Sequence, residues 1–238
     1  MKNKITNWIK SQVKAAHAKG IVIGLSGGID SSVVAALSKR AVGKSRFLGL
    51  IMPCHSDPRD IRDARLLAKR LGLETKTIDL SNIYDHFLKI LPRANNLAKA
   101  NLKPRLRMIT LYYFANKLNY LVCGTGNKSE IKVGYYTKYG DGAADILPIG
   151  CLFKKEVNKL AKDLGVPQSI IEKPPSAGLW RGQTDEGEMG ITYAELDDIL
   201  GCIEGSKKQV APKTKIKKIK GMINRSGHKR QGPKVFQR

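Results

Sequence analysis

The chain has 238 residues, 42% hydrophobic and 26% charged, a globular composition that excludes a disordered polypeptide. Its longest apolar runs, 21–25 and 47–52, fall far short of the roughly 20 residues that span a bilayer. The formal net charge is +23, from 43 basic and 20 acidic residues, and residues 206–238 hold twelve of the basic and none of the acidic ones; such a field favours nucleotides, nucleic acid and other polyanions. The first residues lead into an amphipathic pattern, not the unbroken apolar stretch of a secretory signal. A cytoplasmic protein with no membrane association is expected.

In chain order, Ile5, Trp8, Ile9, Val13 and Ala16 recur at helical spacing, and Gly20 ends that helix. Ile21 to Leu25 is short and rich in β-branched residues, as a strand buried on both faces should be. A glycine-rich turn follows, then a helix carrying Val33, Val34, Ala36 and Leu37. Phe47 to Met52 reads as a second strand closed by Pro53. Ile61, Ala64, Leu67, Ala68 and Leu71 mark a helix that Gly72 terminates, and Glu74 to Leu80 reads as a third strand. Pro104 suits the first turn of a helix whose Leu106, Ile109, Tyr113 and Leu118 share one side. Tyr120 to Cys123 is a fourth strand, followed by Gly-Thr-Gly. Lys154–Leu164 and Thr192–Leu200 pattern as helices, with loops at Gly165-Val166-Pro167 and Lys173-Pro174-Pro175. In the basic segment, Ile216, Ile219 and Ile223 are spaced as a docked amphipathic helix. The alternation predicts one α/β domain over 1–238, with a doubly wound, mostly parallel sheet, helices on both faces and a basic helical segment at 206–238. Ligands of such sheets bind beyond the carboxyl ends of the strands.

Cys54, Cys123, Cys151 and Cys202 are widely spaced, and no zinc-like spacing joins His17, His55, His86 and His228. Buried thiols in a reducing compartment are expected, with neither structural zinc nor disulfides.

The strongest chemical signal is Gly24-Leu25-Ser26-Gly27-Gly28-Ile29-Asp30-Ser31-Ser32, placed between the first strand and a helix. Adjacent glycines let backbone N–H groups approach a polyphosphate, the hydroxyls of Ser26, Ser31 and Ser32 add donors, and the helix dipole points its positive end there. Asp30 can hold a magnesium ion against the phosphates. The spacing is neither that of a Walker A loop nor the dinucleotide Gly-x-Gly-x-x-Gly. It resembles the loop of the adenine nucleotide alpha hydrolase-like ATP pyrophosphatases, which split ATP between the α and β phosphates.

Further blocks narrow that resemblance. Asn101 to Met108, Gly124 to Glu130, Gly134 to Gly142, Lys173 to Leu179, Gly182 to Glu186 and His228-Lys229-Arg230 resemble, in order, those of the ammonia-dependent NAD synthetases. The resemblance implies that deamido-NAD attacks the α-phosphate of ATP through its nicotinate carboxylate, and that ammonia then displaces AMP from the adenylated dinucleotide to give NAD. By the family pattern Asp30 and Glu130 ligate magnesium. Gly24, Leu25, Ser26, Gly27, Gly28, Ile29, Asp30, Ser31, Thr125, Lys154 and Ser176 hold ATP. Arg105, Lys138, Asp145, His228 and Lys229 hold deamido-NAD, while Asp141 binds ammonium and helps release ammonia. Asp30, Asp141 and Lys154 form the implied catalytic set. Lys155 competes with Lys154 on register alone, and Met52 is either an adenine contact or core. The family's deamido-NAD site lies at a homodimer interface, so a dimer is implied. With no candidate Cys-His-Glu glutaminase assembly in the chain, the nitrogen donor is ammonia, free or delivered by another protein.

The charge exceeds what two nucleotide substrates need, and nonspecific adhesion to nucleic acid is one account of it. The main alternative is a tRNA-modifying ATP pyrophosphatase. Against it, the sulfur-transferring enzymes use paired cysteines, which this chain lacks, and lysidine-type enzymes lack the Thr137-Lys138-Tyr139-Gly140-Asp141 block. A non-catalytic nucleotide- or RNA-binding module is a further alternative, but it has no need for the full set of Asp30, Glu130 and Lys154.

Overall fold

The computed structural model describes residues 1–180, 182–205 and 211–236; residues 206–210 and 237–238 of the basic segment lie outside the described residues. The elements are α1 (Lys2–Ala15), β1 (Gly20–Gly24), α2 (Ile29–Val42), β2 (Phe47–Ile51), α3 (Pro58–Leu71), β3 (Thr75–Thr77), α4 (Ser81–Ile90), α5 (Asn96–Ala100), α6 (Leu102–Leu118), β4 (Tyr120–Val122), α7 (Lys128–Val133), α8 (Lys154–Asp163), α9 (Gln168–Ile171), α10 (Asp185–Met189), α11 (Tyr193–Ile203) and α12 (Lys213–Arg225).

All strand pairings are parallel, in the order β3-β2-β1-β4. Ile21 of β1 lies opposite Phe47 on one side and Leu121 on the other, so β1 is central and needs an apolar residue at every position. Ile21 and Ile23 point into a core built with α1, α2, α3 and α8, and Val22 points into a second core with α4 and α6. Helices therefore cover both faces, as expected of a doubly wound sheet. A third cluster joins α7, α10, α11 and α12 around Leu196, Ile199 and Ile219. The expected amphipathic helix is α12, with Ile219 fully buried and Ile216 and Ile223 packed beside it.

Local chemistry sets the element ends. Asp57 caps α3 by accepting from the Arg59 N–H at 2.8 Å, Pro58 occupies its first turn, and Gly72 ends it in the left-handed conformation at φ +56°. Three expectations are corrected. The third strand shortens to Thr75–Thr77, because only these residues pair in register with Gly49–Ile51; beyond them the chain follows β2 through single bonds, Ile78 N–H to Ile51 O and Leu80 N–H to Pro53 O. The buried stripe of α1 is Ile5, Thr6, Ile9 and Val13, which leaves Trp8 and Ala16 exposed. On α6, Leu106 and Ala115 are buried and Leu118 packs beside them, but Ile109 and Tyr113 face outward, 58% and 60% exposed, since the helix meets the sheet through a different face. Of the cysteines, Cys54 and Cys123 are buried, Cys202 is half-buried and Cys151 is exposed, the last lying in the irregular segment before α8.

Candidate active site

A cleft of about 530 Å³ opens beyond the carboxyl ends of β1, β2 and β4, where the strand order departs from the centre in both directions. The loop between β1 and α2 forms its floor. Gly27 is required by its backbone, at φ +79°, and by space, since a Cβ there would sit 2.3 Å from the Asp60 carbonyl oxygen. The loop braces itself. Ser31 Oγ donates to Gly28 O at 3.0 Å and lies 3.0 Å from Ser26 Oγ, which accepts the Gly28 N–H at 3.2 Å. No side chain caps α2, so its first-turn N–H groups point into the cleft as anion donors. Ser32 corrects the expectation that it adds a donor: it is fully buried and its hydroxyl is spent on Gly28 O at 2.8 Å.

Three ionisable groups meet over this loop. Lys154, at the start of α8 and only 3% exposed, places its Nζ 2.5 Å from Asp30 Oδ2 and 3.6 Å from Glu130 Oε1. Asp30 Oδ1 accepts from Asn127 Nδ2 at 2.9 Å. Asn127 also caps α7, accepting the Glu130 N–H at 3.0 Å while Glu130 Oε2 accepts the Asn127 N–H at 3.2 Å. This reciprocal capping box fixes the Glu130 backbone beside Asp30. Burial, reinforced by the negative charge of Asp30, pushes the Glu130 carboxyl up to about 8. Burial alone would lower Lys154, but the adjacent Asp30 and Glu130 charges outweigh it and hold the ammonium well above its ordinary value. The register question is thereby decided geometrically: Lys154 reaches the carboxylates, while Lys155 pairs with Asp198 at 3.6 Å on the surface.

The structure brings most of the implied residues to this one cleft. Gly24, Leu25, Ser26, Gly28, Ile29, Asp30, Ser31, Thr125, Glu130, Asp141, Lys154, Ser176 and Lys229 all line it, as does Met52 at the end of β2. Gly27 supports the loop from behind. Asp141 sits at the outer wall and accepts the Thr137 N–H at 2.9 Å. Arg105, Lys138, Asp145 and His228 are not among the lining residues. Three of them are strung along the rim: Arg105 Nη2 donates to Lys138 O at 3.3 Å, and Lys138 Nζ donates to His228 O at 2.5 Å. Asp145 is engaged within the fold, with Oδ2 accepting the Val122 N–H at 2.7 Å and Oδ1 the Tyr112 hydroxyl at 3.1 Å.

Several contributors escaped the sequence reading. The Tyr193 hydroxyl lies 3.2 Å from Glu130 Oε1 and 3.0 Å from Asp185 Oδ2, and the Tyr193 ring lies under Lys154 Nζ, 4.7 Å from its centroid. Lys173 ties the 173–180 loop down by pairing with Asp60 at 2.5 Å and Asp63 at 2.7 Å. Lys103 holds the same loop through Leu179 O at 2.8 Å. Asn127 alone carried a local signal, since Asn-x-x-Glu ahead of a short helix is a capping pattern.

A family model described as NAD synthase matches residues 1–233. An NH(3)-dependent NAD(+) synthetase of Carboxydothermus hydrogenoformans is 49% identical over 98% of this chain and 95% of its own length. The enzyme of the same name from Archaeoglobus fulgidus is 50% identical over 98% and 94%. Among solved structures, the NMN synthetase from Francisella tularensis superposes with a TM-score of 0.91 at 43% identity, covering 98% of this chain and 96% of that one. The NH3-dependent NAD synthetase from Campylobacter jejuni, solved with a nitrate ion, gives 0.86 at 32% identity over 99% and 97%.

Proposed function

The chain belongs to the NAD synthase family, and on that premise we propose that it couples ATP cleavage to amidation of the nicotinate carboxylate of deamido-NAD with ammonia, releasing NAD, AMP and pyrophosphate. The observation that carries this reading is the meeting of the half-buried Asp30 and Glu130 with the buried Lys154 directly above an uncapped helix start and a glycine loop. Whole-length relatives named as NAD synthetases leave the tRNA-modifying reading without support.

In this reading the loop 24–31, Thr125 and Ser176 hold ATP with its phosphates over the start of α2. Lys154 is kept charged by its two carboxylates, beside the α-phosphorus where negative charge develops. Asp30 and Glu130, both partly buried around one ammonium, form an all-oxygen donor pair that fits a magnesium ion. Bound there, magnesium would neutralise the phosphates and the leaving pyrophosphate. Asp30 and Glu130 are its ligands. Arg105, Lys138, Asp145, His228 and Lys229 serve deamido-NAD, with Asp145 acting through the backbone of β4, and Asp141 at the outer wall receives ammonium.

The rim position of Arg105, Lys138 and His228 supports a site completed by a second copy. Arg105, Ile109 and Tyr113 form one stripe on the outer face of α6, and its two apolar members are more than half exposed. We assign that stripe to a homodimer contact. The single-domain reading covers the whole chain and the protein works in the cytoplasm; no helix among the described residues is long and apolar enough to cross a membrane. Its charge gives a weak, salt-sensitive affinity for nucleic acid.

The test is to incubate purified protein with ATP, magnesium chloride, ammonium chloride and deamido-NAD, and to follow NAD, AMP and pyrophosphate together. Equal yields of the three support the reading, and no NAD from a folded, ATP-binding protein overturns it. The likeness to an NMN synthetase supports a second reading, with a mononucleotide as acceptor. A parallel arm with nicotinate mononucleotide decides between them by comparing kcat/KM.

A further inference from the structure

The basic C-terminal segment carries more charge than two nucleotides require, and its geometry gives part of that charge another purpose. α7, which carries Glu130, is only six residues long, too short to hold its own conformation in water. It ends at Gly134, left-handed at φ +71°, and the Cβ that Gly134 lacks would lie 2.1 Å from Ser226 Cβ, just past α12. The end of α12 thus packs against the bare backbone of the α7 cap. Arg230 closes the junction. Its Nη1 donates to Lys132 O at 2.8 Å, reaches Ile131 O at 3.3 Å and donates to Ser226 Oγ at 2.8 Å, while its Nη2 donates to Ile223 O at 2.6 Å. The buried Ser226 hydroxyl passes its own hydrogen to Met222 O at 2.7 Å. Next in the chain, Lys229 Nζ donates to Gly134 O and Tyr136 O, both at 2.7 Å.

We propose that Arg230 is a positioning residue that acts on the cleft through α7: one guanidinium bridges the final carbonyls of α7 and α12, and with Ser226 and Lys229 it holds Glu130 opposite Asp30 and Lys154. This rests on the reading of Glu130 as a magnesium ligand. The last carbonyls of a helix have no partner within it, and a cation there also opposes the helix dipole. The arginine fork spans acceptors on two segments at once, which a lysine point charge cannot do. α7 is thereby fastened at both ends, by the Asn127 capping box at its start and by Arg230 at its finish.

The test compares wild type with Arg230→Ala and Arg230→Lys by two readouts. The first is hydrogen exchange of peptides from 128–141 against peptides from 20–24 and 47–51 in the ligand-free protein. Loss of a charge-assisted bond from a short helix should speed exchange at 131–136 roughly tenfold or more, leaving β1 and β2 unchanged. The second is the magnesium dependence of NAD formation. The half-saturating concentration should rise roughly tenfold in both variants, and methylguanidinium should restore much of the loss in Arg230→Ala but not in Arg230→Lys. Unchanged exchange in 128–141 together with a wild-type magnesium dependence overturns the proposal, as does acceleration spread evenly over the whole fold. If Arg230→Ala does not fold, Ser226→Ala, which removes one acceptor and keeps the guanidinium, is read in the same way. Exchange needs no turnover, so a wild type that fails to make NAD refutes the reaction while leaving the clamp testable.

Discussion

Asp30→Asn separates a residue that serves ions from one that serves packing. The two Asp30 oxygens accept from Lys154 Nζ at 2.5 Å and Asn127 Nδ2 at 2.9 Å. Asparagine brings one oxygen and one NH2, so one of these donors must face another donor. An unsatisfied buried donor costs about 1–3 kcal/mol. Losing one partner of a buried ion pair costs about 3–5 kcal/mol, but Asp30 is partly exposed and Lys154 keeps Glu130 at 3.6 Å, whose carboxyl ionises more readily once the Asp30 charge is gone. A net loss of about 1–2 kcal/mol is expected, which lowers the unfolding midpoint of a chain this size by about 2–8 °C. Turnover should fall at least about 1000-fold, because a cation ligand beside the reacting phosphate contributes several kcal/mol to the transition state. Thermal unfolding at pH 7.5 and a coupled NAD assay read both numbers. A kcat within tenfold of wild type would refute the assignment, and a stability loss above about 5 kcal/mol would show that Asp30 is mainly structural.

Gly27→Ala places a Cβ 2.3 Å from Asp60 O in a left-handed backbone; ATP affinity, measured by calorimetry, should drop more than about tenfold, since the loop must shift by more than its hydrogen bonds tolerate. Glu130 keeps its proton in the ligand-free fold up to about 8, against an ordinary 4.5. The folded state therefore binds more protons than the unfolded one between these values, and this group's share of stability is lost as pH rises through that window. Glu130→Gln should gain stability relative to wild type between pH 5 and pH 8 in urea titrations; a constant difference would contradict the shift. Ile219→Ala empties a fully buried position between α11 and α12 and should cost about 2–5 kcal/mol. That loss should appear first as faster hydrogen exchange in 213–230. Replacing Tyr113 by Glu on the outer stripe of α6 should convert a dimer to a monomer in sedimentation, and an unchanged mass would exclude that face.

The unbroken apolar runs of β1 and β2, the Ser-Gly-Gly-x-Asp turn and the isoleucine spacing of α12 are local patterns. Each was readable because a central parallel strand, a phosphate-type turn and a docked helix impose their chemistry within a few neighbouring residues. The capping box at Asn127 is local in the same sense, yet its second task, turning Asn127 Nδ2 toward Asp30, spans 97 positions. Periodicity marks which side chains are apolar but not which neighbour arrives. It placed Ile109 and Tyr113 with the buried face of α6, although the sheet meets that helix through Leu106 and Ala115. Likewise Asp145 reads as a free loop carboxylate until the backbone N–H of β4 is found to occupy it. Strand content, the glycine loop and the family blocks follow from the order of residues alone. Which of Lys154 and Lys155 meets the carboxylates, how the Tyr193 hydroxyl comes to lie between Glu130 and Asp185, and why Arg230 follows a lysine-rich helix were decided only by packing, because those contacts join segments that no local force brings together.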